Sequence, residues 1–134
     1  MAAITITASD LALEDSLAKI EIVQYGEAVT PGQSLYLNAD GKYYLADADA
    51  AATADASRIA LTYGAADEWG VALQEGNLQM GTILSSGSTY HASPTPGGIG
   101  PFSDLGSGDT NTIIGTATST SVLQVKFNAT QAVI

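Results

Sequence analysis

Between residues 34 and 128, apolar and polar positions alternate in short runs separated by glycine. "SVLQVKFN" at 121–128 is the clearest case. Leu123, Val125 and Phe127 alternate with Val122, Gln124, Lys126 and Asn128, and a period of two puts the first three on one face of a strand. "SLYL" and "KYYL" flank "NADG", whose Asp40–Gly41 pair supports a turn with positive φ, so a hairpin is predicted there. Tyr36, Tyr43 and Tyr44 suit strands. "RIALTY", "WGVAL", "LQMGTILSS", "STYHAS" and "NTIIGTAT" are further strands. Short strands between regular turn signals predict a mainly β chain, a single small sandwich or barrel-like domain with at most one or two short helices. The predicted core is Leu35, Leu37, Ile59, Leu61, Val71, Leu73, Leu84, Ile113, Leu123, Val125 and Phe127.

Two stretches depart from this pattern. "SDLALEDSLAKI" at 9–20 holds good helix formers, a cap candidate in Ser9 or Asp10, and Leu13, Leu17 and Ile20 at helical spacing. The preceding "AITIT" alternates like a strand, so an extended arm is the alternative. "LADADAAATADASRI" at 45–59 sets three aspartates in a run of alanines. Alanine favours helix, and a helix of about two turns competes with a soluble crossing between strands. A weak internal echo links "GEAVTPGQSLYLNADGKYYLADA" with "GNLQMGTILSSGSTYHASP", as two related hairpins would.

The length of 134 residues suits one domain, with a core rich in small residues because many of its 46% apolar residues are alanine. Fourteen acids against four bases give a net charge of −10. Lys19, Lys42, Arg58 and Lys126 are scattered, which argues against nucleic acid and anionic lipid as partners. There is no cysteine, hence no disulfide or thiolate metal site. No apolar run reaches membrane-spanning length. "MAAITITASD" lacks the features of a signal peptide, which predicts a soluble protein made in the cytoplasm.

Candidate chemistry is thin. A calcium loop needs oxygen ligands at alternating positions, a glycine and a distal glutamate. Asp47 and Asp49 fit, but Ala51, Ala52 and Arg58 occupy the other positions, so no metal is expected. The lone histidine, His91, is read as a surface or interface residue rather than a catalytic base. Asp67–Glu68 and Glu14–Asp15 read as solvated acids. "GGIG" at 97–100 reads as a flexible, tight-turning loop. Trp69 is either a sugar-stacking platform or a partly buried anchor at a strand start. No cofactor is expected.

From Gly26 to about Asn128 the chain resembles the small β-rich capsid decoration (cement) proteins of tailed bacteriophages. The resemblance rests on "GEAVTPGQSLY", the "DGK" hairpin, and the alanine–aspartate crossing into "RI". The "GVAL" strand at 70–73, "YHASPTPGGIGPF" and "IIGTATSTSVLQVKF" extend it. It implies a β-tulip-like domain at 25–134 preceded by an N-terminal arm at 1–24. It also implies a non-enzymatic structural role on the outer surface of the virion head, bridging subunits of the major capsid protein, with a homotrimer as the leading state. Ile4, Ile6, Leu13, Leu17, Ile20, Trp69 and His91 are then candidate contacts with the capsid or a neighbouring copy. The same module occurs in head fibres and tail parts, so a carbohydrate- or receptor-binding module is the alternative. A small hydrolase is the third reading, opposed by the single histidine and the absence of cysteine.

Overall fold

A computed structural model describes residues 3–13 and 18–134 of the chain. Among these residues ten strands form one antiparallel sheet: β1 (Leu11–Leu13), β2 (Lys19–Gln24), β3 (Ser34–Leu37), β4 (Tyr43–Leu45), β5 (Ala56–Ala60), β6 (Trp69–Met80), β7 (Thr89–Ala92), β8 (Ile99–Pro101), β9 (Thr110–Ala117) and β10 (Val122–Val133). The sheet curls into a half-barrel. Helix is limited, among the described residues, to single 3-10 turns at Ala8–Asp10 and Phe102–Asp104. The mainly β class read from the alternation therefore holds, in its barrel-like form.

The long strand β6 organises the sheet. One of its edges carries β2 and then β1, and the other carries β5 and then β10. From β5 the path continues to β3 and β4, and from β10 to β9, β7 and β8. β6 contributes to two clusters, Ala72 to the smaller and Leu73, Leu78 and Met80 to the larger. Val23, Tyr25, Val29, Leu35, Tyr43, Ala60 and Ala72 fill the smaller core. Ile59, Leu73, Leu78, Met80, Tyr90, Ile99, Ile114, Leu123 and Val125 are among those filling the larger.

The two ends of the sheet meet at a seam. The Ala48 N–H donates to Ser93 at 3.0 Å, Gly97 to Ala46 at 2.8 Å, and Ser34 to Gly97 at 2.9 Å. Ala46, Ala48 and Ala54 are fully buried there. The alanines of 45–59 thus allow close backbone approach, and the helix considered for this run does not form. Local side chains also hold turns: Asp47 Oδ1 accepts the Asp49 N–H, and Thr53 Oγ1 donates to the Asp47 carbonyl.

The helix considered for 9–20 is corrected as well. Leu11–Leu13 pair with Leu78–Met80, and Ile20–Gln24 pair with Trp69–Leu73. Strand pairing overrides helix propensity here. Within the segment set apart as an arm, Leu11–Leu13 and Lys19–Gln24 pair with β6 of their own chain, Ile4 and Ile6 pack against the larger core, and Val23 enters the smaller core. "AITIT" forms no assigned strand, although the Ile4 N–H donates to the Ile99 carbonyl at 2.9 Å.

Three smaller expectations also change. Leu37 is 55% exposed rather than buried. Ile113, Leu61, Val71 and Phe127 are only half-buried, and Ile114 takes the core position beside Ile113. "GGIG" turns at Gly97 and then enters β8 with Ile99 buried. The internal echo is not a pair of hairpins, because β3 pairs with β4 whereas β7 pairs with β8 and β9.

Candidate functional site

The exposed surface most suited to binding is an apolar face built on β2, β6 and the exit of β5. Side chains alternate along β2. Val23 points into the smaller core, so Ile20 and Ile22 point away from it. In the ladder Ile20 lies opposite Leu73, Ile22 opposite Val71, and Gln24 opposite Trp69, and partners in a ladder share a face. The Leu61 N–H donates to the Val71 carbonyl at 2.9 Å, which carries the same face across to Leu61 and Tyr63. Ile22 is 71% exposed, Tyr63 67% and Trp69 66%. Beside them a groove of about 620 Å³ runs between Leu61–Tyr63, Pro31 and Leu11–Leu13.

Tyr25 fixes this face from behind. Its ring is fully buried and its hydroxyl donates to the Thr62 carbonyl at 3.0 Å. Glycine makes room for it: a Cβ at Gly70 would lie 2.5 Å from the Tyr25 hydroxyl, and one at Gly64 would lie 2.3 Å from its ring. Burial pushes the Tyr25 phenol above its ordinary pKa.

The basic side chains near these strands are largely paired. Lys19 meets Glu75 at 3.6 Å, Lys42 meets Asp67 at 2.6 Å, and Arg58 meets Glu21 at 2.9 Å. Arg58 also lies over the Tyr43 ring, 5.6 Å from its centre. Three of the four basic side chains are thereby engaged within the chain, and the remaining acids set its external field.

Of the predicted contacts, Ile20 and Trp69 lie on this face and Leu13 lines the groove beside it. Ile4 and Ile6 are half-buried against the larger core of their own chain. Leu17 lies outside the described residues. His91 is corrected: it is 3% exposed and cannot belong to an open surface of this fold. Ile22 and Tyr63 were not predicted, and Leu61 and Val71 were placed in the core. The signal for Ile22 is the alternation in "KIEIVQ", whose first residues overlap the helical spacing of Leu13, Leu17 and Ile20.

His91 is satisfied on both ring nitrogens. Nδ1 lies 2.6 Å from Asn111 Oδ1, and Nε2 lies 2.9 Å from Thr89 Oγ1. Asn111 Oδ1 only accepts, so Nδ1 carries the proton and Nε2 accepts the Thr89 hydroxyl. Burial lowers the histidine pKa, against a smaller opposing effect of the Asn111 bond. Phe102 closes over the ring edge-on at 5.4 Å. The order hydroxyl, imidazole, amide is that of a nucleophile, base and orienting group. Here the imidazole is sealed inside the fold, and the bonds meet the needs of a buried neutral ring. The Ser93 hydroxyl, two residues on, donates to Asp104 at 2.5 Å rather than to the histidine.

Burial raises the Asp47 pKa, with the nearby charges of Asp49 and Asp109 adding to the effect. Among the described residues no group of three or more His, Asp or Glu side chains is placed to hold a metal ion. No described helix is long and apolar enough to cross a membrane. No protein-family model, curated protein or solved structure matches this chain.

Proposed function

We propose that this chain is a non-enzymatic capsid decoration protein, many copies of which bind the outer surface of an assembled phage head and hold neighbouring major capsid subunits together. The observation that carries this reading is the apolar face of Ile20, Ile22, Val71, Leu61, Tyr63 and Trp69, held on a hydrogen-bonded sheet and open to water. A contiguous exposed apolar patch is a binding surface by default. The resemblance of residues 26–128 to decoration proteins supports the same conclusion and assigns the partner.

The physics of such a role is linkage. A protein that binds only the assembled lattice stabilises that lattice, because separating the subunits also breaks its contacts. Multiplicity turns small contributions into a large one. The net charge of −10 favours a basic or neutral partner over nucleic acid and anionic membrane. The role needs no cofactor. A homotrimer is our reading of the working state, on the virion exterior, after synthesis in the host cytoplasm.

A head-fibre or tail module directed at carbohydrate or a receptor is the second reading, favoured by the exposed rings of Trp69 and Tyr63. Counting copies on purified parent virions separates the two. Hundreds per particle, with heads that disrupt more easily when the protein is removed, fit decoration. A few or tens per particle, with head stability unchanged, would overturn it in favour of the fibre.

A further inference from the structure

The apolar face ends at an open strand edge. Among the described residues β2 is hydrogen-bonded along one side only, to β6. The Tyr25 N–H donates to the Glu68 carbonyl at 2.8 Å, and the Asp67 N–H donates to the Tyr25 carbonyl at 2.7 Å. The backbone of Tyr25 therefore points toward β6. Backbone groups alternate sides along a strand, so those of Val23 and Glu21 also point to β6, and those of Ile20 and Ile22 point outward. The opposite strand agrees. Val71, facing Ile22, gives its N–H to Thr62 Oγ1 and takes the Leu61 N–H on its carbonyl, both on the side away from β2. Among the described residues the edge is covered only at its far end, where the Gly26 N–H reaches the Tyr43 carbonyl of β4.

Exposed edges are normally blunted by proline, charge or a bulge. Here a register shift and Lys19 mark the start of β2. Beyond them the outward groups belong to Ile20 and Ile22, whose side chains are also exposed. Backbone capacity and apolar side chains thus coincide on the same two residues.

We infer that the Lys19–Val23 edge accepts an extended segment of the partner as an added strand, apolar at alternate positions and basic in between. The alternation follows from the pleat. Every second residue of the added strand continues the Ile20–Ile22 row, and those between lie on the side of Glu21, whose carboxylate side chain is 46% exposed. Basic character follows from charge. Lys19 and Arg58 are already engaged by Glu75 and Glu21, and the chain as a whole carries −10. A second copy in this place would set one acidic surface against another, which electrostatic complementarity opposes. The inference takes the identity of the partner from the capsid reading; the chemistry of the edge stands apart from it.

The full chain, labelled with ¹⁵N, is titrated with a short peptide alternating valine and lysine. Two control peptides replace lysine with glutamate, or N-methylate the amides along one edge. The expected result is saturable shifts and slowed amide exchange at Ile20 and Ile22 with the lysine peptide, at least tenfold weaker binding of both controls, and a similar loss with Ile22→Pro. Proline there removes an outward N–H and no bond to β6. No response at β2 while the protein still decorates heads overturns the strand-addition inference and leaves the capsid reading standing. Pairing at β2 in a protein that decorates no head supports the inference and overturns the capsid reading. Protection of Ile20 and Ile22 that rises with protein concentration alone assigns the edge to a second copy and overturns the proposal.

Discussion

The hydroxyl of Tyr25 reaches the carbonyl of Thr62 at 3.0 Å, across 37 residues of sequence, and ties the end of β2 to the exit of β5 directly behind the apolar face. Thr62 completes the link to β6 through its own hydroxyl, which accepts the Val71 N–H at 3.0 Å. Tyr25→Phe keeps the ring and leaves the Thr62 carbonyl without this donor. A buried acceptor left so costs about 1–3 kcal/mol. The expected outcome is a lower urea midpoint with an unchanged m-value, and an unchanged midpoint would show that the bond contributes nothing net.

Gly70 tests the same junction sterically. An added Cβ would meet the Tyr25 hydroxyl at 2.5 Å and Thr62 Oγ1 at 2.6 Å. Gly70→Ala is expected to cost about 1–3 kcal/mol through overpacking. The double variant Gly70→Ala with Tyr25→Phe is expected to cost less than the sum of the two, because removing the hydroxyl opens part of the space. Strict additivity in the thermodynamic cycle would contradict this packing.

Much of this fold was legible because the strands from β3 to β10 carry their own period. Leu123 and Val125 alternate with exposed Gln124 and Lys126, and Gly41, with φ of 85°, supplies the turn that "NADG" announces. What was not legible depends on pairing between distant residues. Leu11–Leu13 become a strand because β6, paired with β10 along one edge, offers them its other edge at Leu78–Met80. The alanine run has helix propensity, yet its buried members serve a seam between chain segments dozens of residues apart. His91 sits in an ordinary tyrosine strand, and only the approach of Asn111 and Phe102 encloses it. The apolar face was half legible: Leu13, Ile20 and Trp69 stood out singly, and register alone shows that Ile22 and Val71 join Ile20 and Trp69 in one surface.

Asp47 predicts a local gain. Its raised pKa means that the folded state binds its proton more readily than the unfolded chain does. The strain of holding the carboxylate is therefore present at neutral pH and is relieved as pH falls through the raised value. Asp47→Asn keeps an oxygen for the Asp49 N–H and removes the charge that burial and the charges of Asp49 and Asp109 disfavour. The variant is expected to melt higher than wild type at pH 7, with the difference shrinking in acid. A lower melting temperature at pH 7 would show that the charge itself stabilises the seam.

His91 predicts the opposite trend. Its pKa is lowered in the fold, so the unfolded chain binds the proton first as pH falls. Its contribution is complete above about 6.5, the unperturbed histidine value, and is lost as pH drops from there through the lowered folded value. Urea midpoints of wild type are expected to decline over this window, and those of a His91→Gln variant to decline less. Equal slopes would assign the acid sensitivity to other groups.

The binding face predicts loss of binding without loss of stability. Ile22 and Trp69 are each about two-thirds exposed or more, so Ile22→Lys and Trp69→Ala are expected to shift stability by no more than about 0.5 kcal/mol. Each should weaken attachment to undecorated heads at least tenfold, since each removes apolar area from the centre of the patch or puts a charge there. Val133→Lys supplies the control: Val133 is 66% exposed on the last strand, away from this face, and the same added charge there should leave attachment unchanged. The pattern across the three variants discriminates further. If Trp69→Ala abolishes binding to cell-surface glycans while Ile22→Lys is silent on heads, the face is a stacking platform and the fibre reading replaces decoration. If Val133→Lys weakens attachment as strongly as Ile22→Lys, bulk charge rather than this surface governs binding, and the face loses its assigned role.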